Sequence, residues 1–420
     1  MASSMRKAIT AVQALGFPFP TPDPFLFAVH HRDYFPAGNP DNMEAPRKGN
    51  GADFNPDAPY RMYHGARVPG FPQHPHRGFE TLTATIEGVI DHTDSKGNAG
   101  RYGGGDLQWM TAGNGIVHGE MFPLVHADKP NTLHLFQIWL NLPARNKRVE
   151  PHFIMHWDED IPHVHADDDK VELTVWAGEI AGAAPLAPPP KSWAAEDDAE
   201  VAVWFLRFKP GGRFTLPPAR SGSAINRSLY FFYGNAATVA GRPFNEHKRI
   251  DVDAAMEVEL TYPVEHAGPG SRRAGEDDEV FFLVLQGRPI GEPVVQHGPF
   301  VMNTQREIMQ AFQDYQRTQF GGWPWPDDAM VHPRDKGRFC LVDGKESFPG
   351  SAAVRVRLAG LSAEAMNGRE GRRGRFFKDK GRFEVVLDEV EGGEKKKKIL
   401  VKPENIVEVG GGDGGAAGEL

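Results

Sequence analysis

Turn-forming residues cut this chain into runs too short for long helices. The 420 residues include 47 glycines and 35 prolines, both above ordinary usage. That punctuation favours many short strands joined by turns. Thr81 to Ile86 is β-branched and apolar, and it stops at Glu87-Gly88. Asp94 to Asn98 and Gly103 to Asp106 are turn clusters. Leu133 to Leu140 carries large apolar groups in partial alternation and ends at Asn141-Leu-Pro143, as a core strand would. Strands spaced in this way predict a sandwich or barrel.

The texture changes around residue 150. Strands are expected at Val171 to Trp176, Val201 to Phe208, Ser228 to Tyr233, Ala255 to Leu260 and Val280 to Leu285, with a loop at Ala183 to Lys191. This second unit is all-β like the first, with no residue-by-residue repeat between them. Thr304-x-x-Glu307 is a capping-box pattern, and Ile308, Phe312 and Tyr315 follow at helical spacing, so a helix is expected over 304–318. Trp323-Pro-Trp325-Pro326 reads as an aromatic segment packed on a domain surface. The domain plan is therefore 1–150, 151–335 with the closing helix, a small module over 350–408, and a Gly-rich disordered tail over 409–420.

Composition sets bounds on function. Hydrophobic residues make up 40% and charged residues 25%, enough for a sizeable core. A net charge of −9 gives no whole-chain affinity for nucleic acid or an anionic membrane. Cys340 is the single cysteine, so no intramolecular disulfide forms, and a reducing compartment fits best. No apolar run approaches a membrane span. The cytosol or the nucleus is the expected location. Ser3, Ser4, Arg6 and Lys7 supply the alternative, an organelle transit peptide.

One constellation carries chemistry. His74-Pro-His76 is followed farther on by His118-Gly-Glu120. Each pair has i, i+2 spacing, and on a strand such positions share a face. Two such strands facing one interior bring four ligands to one point. Three imidazoles and a carboxylate suit a divalent iron, manganese, nickel, cobalt, copper or zinc ion. A closed structural zinc site would more often use cysteines.

The runs HPHRGFETLTATIEG (His74 to Gly88), GDLQWMTAGNGIVHGEM (Gly105 to Met121), FQIWLNLP (Phe136 to Pro143) and EPVVQHGPFVMNT (Glu292 to Thr304) resemble the pirin family, over roughly residues 15–335. The resemblance implies an all-β bicupin: two cupin, jelly-roll-type β-barrels packed together, one helix after the second, and metal in the N-terminal barrel alone. Its ligands map onto His74, His76, His118 and Glu120, with Fe(2+) the favoured ion. The general cupin pattern also expects a glutamate near Glu80. Pirin-like chains take theirs from the second motif, so Glu120 is preferred and Glu80 is read as a supporting residue. Asp106, Gln108 and Trp109 are expected to orient the ligand strand or line the pocket, and Phe79 and Met110 to pack. His247, His266 and His297 are scattered over the second half, and no metal is expected there.

The family resemblance extends to quercetin 2,3-dioxygenases. It implies a flavonol bound through its 3-hydroxyl and 4-carbonyl oxygens, with Glu120 as catalytic base, and ring opening by dioxygen to a depside and carbon monoxide. The alternative it implies is a non-enzymatic, iron-sensing nuclear regulator acting through protein partners. The module over 350–408 resembles small SH3-like barrels through Met366-Asn367-Gly368 and Gly371. Such modules bind partners. Its bases Arg372, Arg373, Arg375 and Lys395 to Lys398 are interleaved with Glu384, Asp388, Glu389, Glu391 and Glu394, which reads as a solvated face. Nucleic acid is not expected as a direct ligand, a protein partner would use this module or the second barrel, and the chain is expected to be a monomer.

Overall fold

The computed structural model describes residues 7–47, 58–264, 278–349, 355–377, 382–387 and 398–408. The chain forms two compact units, residues 1–337 with 342–344, and residues 338–341 with 345–420. Strands dominate, and Gln305–Thr318 (α1) is the single α-helix among the described residues.

The first barrel is built from β2 (Phe25–Phe35), β3 (Gly70–His76), β4 (Phe79–Glu87), β5 (Val89–Asp94), β6 (Ala99–Gly103), β7 (Leu107–Thr111), β8 (Ile116–Met121), β9 (Asn131–Asn141) and β10 (His152–His156). One antiparallel sheet has the order β10-β7-β4-β9-β2, and in the other β6, β5, β8 and β3 follow in turn. The expected turns form. Asp94 Oδ1 accepts from the Lys96 and Asn98 N–H groups at 2.8 and 3.0 Å. Asp106 Oδ2 accepts from Gly103 N–H at 2.8 Å.

The second barrel pairs a seven-stranded sheet with a four-stranded one. It uses β11 (His163–Ala166), β12 (Val171–Ala177), β13 (Ala202–Phe208), β14 (Arg213–Leu216), β15 (Asn226–Tyr233), β16 (Ala237–Val239), β17 (Arg242–Phe244), β18 (Lys248–Asp253), β19 (Val258–Thr261) and β20 (Val280–Gly287). Leu206, Leu229, Phe231, Ile250, Leu260 and Phe282 fill its interior. The strand expected at Ala255 to Leu260 is shorter, because the Asp253 side chain accepts from Ala255 N–H at 3.0 Å and holds a turn there. The strand before it, β18, alternates Ile250 and Val252 inward and was not expected.

The two barrels meet sheet to sheet. Leu82, Trp109, Phe136 and Ile138 of the first pack on Trp176, Phe205, Phe232 and Leu283 of the second. The Phe136 and Phe232 rings stand 4.9 Å apart, edge to face. Burial of this kind contributes about 1.5–3 kcal/mol per large side chain.

Chain order and spatial order part company at both ends of this unit. Ile9–Ala14 (β1) pairs with β18 of the second barrel, although the sequence places residues 1–150 in the first. The helix assigned to the second barrel lies on the first. Thr304 caps it, its hydroxyl accepting from Glu307 N–H at 3.2 Å. Before it, β21 (Val295–His297) and β22 (Phe300–Met302) form a hairpin. Arg77 N–H donates to Pro299 O at 3.3 Å, and Val301 N–H to Arg77 O at 3.0 Å. Arg77 also donates to Asp314 on α1 at 2.8 Å. The segment after the helix then straps the first barrel. Gln73 N–H donates to Asp328 O at 2.8 Å, and the Trp325 indole to Asp94 O at 2.7 Å.

The second unit carries a five-stranded antiparallel sheet in the order Lys398–Val401, Arg382–Leu387, Glu370–Phe377, Arg355–Leu358, Ile406–Glu408. Leu358, Val385, Leu387 and Val401 form its core. Asn367 and Leu361 exchange two hydrogen bonds of 2.8 and 2.9 Å that close a loop. The side chains of Arg372, Arg373, Arg375, Glu384 and Lys398, and all of Asp388, Glu389, Glu391, Glu394 and Lys395 to Lys397, lie outside the described residues, as do Ser3, Ser4, Arg6 and the Gly-rich tail. Among the described residues, no helix is long and apolar enough to cross a membrane.

Candidate metal centre and its cavity

β3 and β8 are antiparallel neighbours, and His74 lies directly opposite His118. The register shifts between Phe71 and His74, so a bulge sits at Pro72-Gln73. Bulges re-aim the side chains that follow them. This one presents the Pro72 carbonyl to the His74 ring, which donates from Nδ1 at 2.8 Å. That bond leaves Nε2 as the lone-pair nitrogen, as a metal-bound histidine requires. The strap satisfies the bulged Gln73 N–H.

Donor nitrogens of His74, His76 and His118 all lie within 4.8 Å of one another, and among the described residues no other group of three such side chains converges in this way. Burial holds all three imidazoles below their ordinary pKa, His76 and His118 well below it, with the neighbouring rings adding to the effect at His76 and His118. They are therefore neutral at pH 7, the state in which imidazole binds metal. Both ring nitrogens of His118 are buried without a hydrogen-bond partner. An orphaned buried acceptor costs about 1–3 kcal/mol, and a cation on the lone pair removes that cost. The residues present thus fit a metal ion.

Glu120 stands at the edge of the cluster, with Oε2 3.8 Å from His118 Nε2. Its carboxylate accepts from Thr83 Oγ1 at 2.9 Å, Gln137 Nε2 at 2.8 Å and the Tyr102 hydroxyl at 3.5 Å. His92, one strand away on β5, is a neighbour that the two ligand motifs do not point to. Its ring lies 5.5 Å from that of His118, and its Nε2 is 3.6 Å from Asp94 Oδ2. The i, i+2 spacing of His92 and Asp94 is the signal that marks it.

Glu80 faces the other way. It accepts from Thr111 and from Ser192, a second-barrel residue, each at 2.5 Å. Burial raises its pKa to about 7. Trp109 also faces the second barrel, and Asp106 holds a turn, so neither lines the pocket. Gln108, on the opposite face of β7 from Trp109, is buried directly across from Thr83 of β4. Phe79 packs as expected, its ring 5.1 Å from His76 and 4.0 Å from Trp139. In the second half, His247 bonds Gly234 O at 3.1 Å and His297 packs on Phe312. His266 lies outside the described residues.

A cavity of about 610 Å³ opens onto the cluster. His74, His76, Thr83, Glu120 and Gln137 form one contiguous polar patch in its wall. The remainder is mostly apolar, with Phe17, Phe27, Phe71, Phe122 and Trp139 supplying flat aromatic surfaces. His31 is a further polar group, on the same face of β2 as Phe27 and Val29.

The sequence matches the Pirin family model over residues 52–140 and the Pirin C-terminal cupin domain over residues 203–321. A pirin-like protein of Solanum lycopersicum is 36% identical over 255 residues, which span 59% of this chain and 75% of that protein. The chain belongs to the pirin family. This pirin is 34% identical to human pirin over 264 residues, or 62% of this chain and 80% of the human protein. Among solved structures, a quercetin 2,3-dioxygenase from Acinetobacter baumannii aligns with a TM-score of 0.55 at 26% identity, covering 75% of this chain and 96% of that one. The two-barrel cupin architecture of this pirin agrees with these matches.

Proposed function

We propose that this pirin is a mononuclear iron-dependent oxygenase of the quercetin 2,3-dioxygenase type, acting on a flavonol-like substrate. The observation that carries the reading is the cavity of about 610 Å³, flat-walled and aromatic, whose contiguous polar patch includes His74, His76 and Glu120. Its volume suits a ligand of drug size. The likeness to the Acinetobacter quercetin 2,3-dioxygenase supports the substrate class.

His74, His76, His118 and Glu120 would hold the ion. When bound, a ferrous ion supplies Lewis acidity and a meeting point for flavonol and dioxygen. The rest is the chain's own work. Phe27, Phe71 and Trp139 orient a planar ring system and exclude water. Gln137 and Thr83 fix the Glu120 carboxylate by one hydrogen bond on each oxygen. Glu120 takes the proton of the substrate hydroxyl as the ring slides in. The products, a depside and carbon monoxide, contain all the atoms of flavonol and dioxygen. The C-terminal sheet is read as an SH3-like interaction module outside this chemistry.

The test uses protein purified without oxygen and loaded with Fe(2+). Quercetin absorbance should fall and carbon monoxide appear on admission of oxygen, and both should vanish in His118→Ala. Quercetin that survives oxygen unchanged sinks the proposal.

A further inference from the structure

We infer that one end of the second barrel is a binding site for a small carboxylate-bearing molecule, held by the guanidinium of Arg227. This site is separate from the His74 cluster and independent of the reading given for it.

Arg227 is 2% exposed and lies on β15, two residues before Leu229 and four before Phe231 on the inward face of the barrel. Its Nε donates to Gln286 Oε1 at 2.7 Å and its Nη1 to Pro217 O at 2.8 Å. Gln286 is itself fixed, donating to Glu200 O at 3.1 Å. Both acceptors of the guanidinium are neutral. Among the described residues no carboxylate bonds it, and Nη2 has no bond. A cation buried without a bonded counter-ion is costly to keep. Burial accordingly draws the Arg227 pKa down to about 10.

Arg227 lines a cavity of about 480 Å³ together with Trp204, Ile180, Val201 and Pro217. The Trp204 indole is locked, donating to Gly178 O at 2.8 Å. Three of the acids around this cavity hold other groups by hydrogen bonds, and the Glu200 charge also acts on Arg227. Asp197 holds Arg220 through two bonds of 3.1 Å, and Glu196 pairs with Arg145 at 2.8 Å. Glu200 accepts from the Arg220 and Ser221 N–H groups at 2.8 Å each, and Glu179 lies in the field of Arg220. What remains is the Nη2 donor of a guanidinium positioned by its other two nitrogens, beside an indole and aliphatic walls. A guanidinium fork matches a carboxylate. The nearby Glu200 charge disfavours a dianion, so a monocarboxylate on an apolar body is selected over a phosphate.

The experiment is calorimetric titration of the full-length protein with sodium benzoate, sodium acetate and inorganic phosphate. Benzoate should bind more tightly than acetate, with no heat from phosphate. Arg227→Met should weaken benzoate at least tenfold. Ile180→Trp fills the cavity but keeps Arg227, and it should weaken benzoate to a similar degree, which decides the matter if Arg227→Met does not fold. The inference is overturned if native protein binds no benzoate up to about 10 mM. It is overturned equally if Ile180→Trp binds as the native protein does, or if phosphate outcompetes benzoate.

Discussion

Two buried glutamates of the first barrel sit in opposite electrostatic situations. Glu120 is met by three donors, whereas Glu80 is fully buried between the barrels with two hydroxyls for company. The Glu80 pKa is raised to about 7 from an ordinary 4.5. The folded state therefore holds this proton more tightly than the unfolded chain does. Its contribution to stability is greatest below pH 4.5 and falls as pH rises towards 7. Above pH 7 the cost is on the order of 3 kcal/mol. Glu80→Gln should unfold at a higher urea concentration than native protein at pH 8 and at nearly the same one at pH 5. An equal difference at both pH values would show that the carboxylate is not the cause. At this scale the sequence was legible where alternation is regular. His74, His76 and His118 converge because i and i+2 share a face. The cavity wall was hidden because β2 is bulged between Phe25 and Phe27. Phe25 and Ala28 thus pack between the barrels, while Phe27, Val29 and His31 face the cavity.

Elements hold the metal corner in place as much as residues do. β3 turns into β4 at Gly78, whose φ of +87° lies in the left-handed region. A Cβ there would stand 2.0 Å from the Val301 carbonyl oxygen. The turn next to the ligand strand and the hairpin before α1 are thus fitted to each other through a position without a side chain. Gly78→Ala should cost about 3 kcal/mol, from backbone strain and from displacement of the hairpin. Differential scanning calorimetry would show a lowered melting temperature, and trypsin should cut sooner at Arg306 and Arg317. The existence of α1 was readable, because capping by Thr304 and Glu307 is a local matter. Its destination was not, since no local pattern says that Asp314 will meet Arg77 far back in the chain.

At the scale of the whole first unit, Arg101 ties the barrel to its strap. It grips Asp91 through bonds of 2.6 and 2.7 Å and donates to the carbonyls of His332, Pro333 and Lys336 at 2.9, 2.8 and 2.7 Å. Arg101→Met leaves the Asp91 carboxylate buried without its cation, a loss of about 3–5 kcal/mol. Limited proteolysis should then release a fragment ending near Arg334, and adding Asp91→Asn should restore part of the stability. Protection equal to native would contradict this tie. The exchange of ends has a further consequence during synthesis. When residue 160 leaves the ribosome, all three histidines are outside, yet the Asp328 carbonyl that satisfies the bulge beside His74 is not. β1 waits in the same way for β18. A nascent chain can gather the imidazoles early, but it closes their surroundings only after the second barrel has been made. Completion of the site's surroundings is therefore tied to the end of translation of this unit, whatever the order in which the histidines appear.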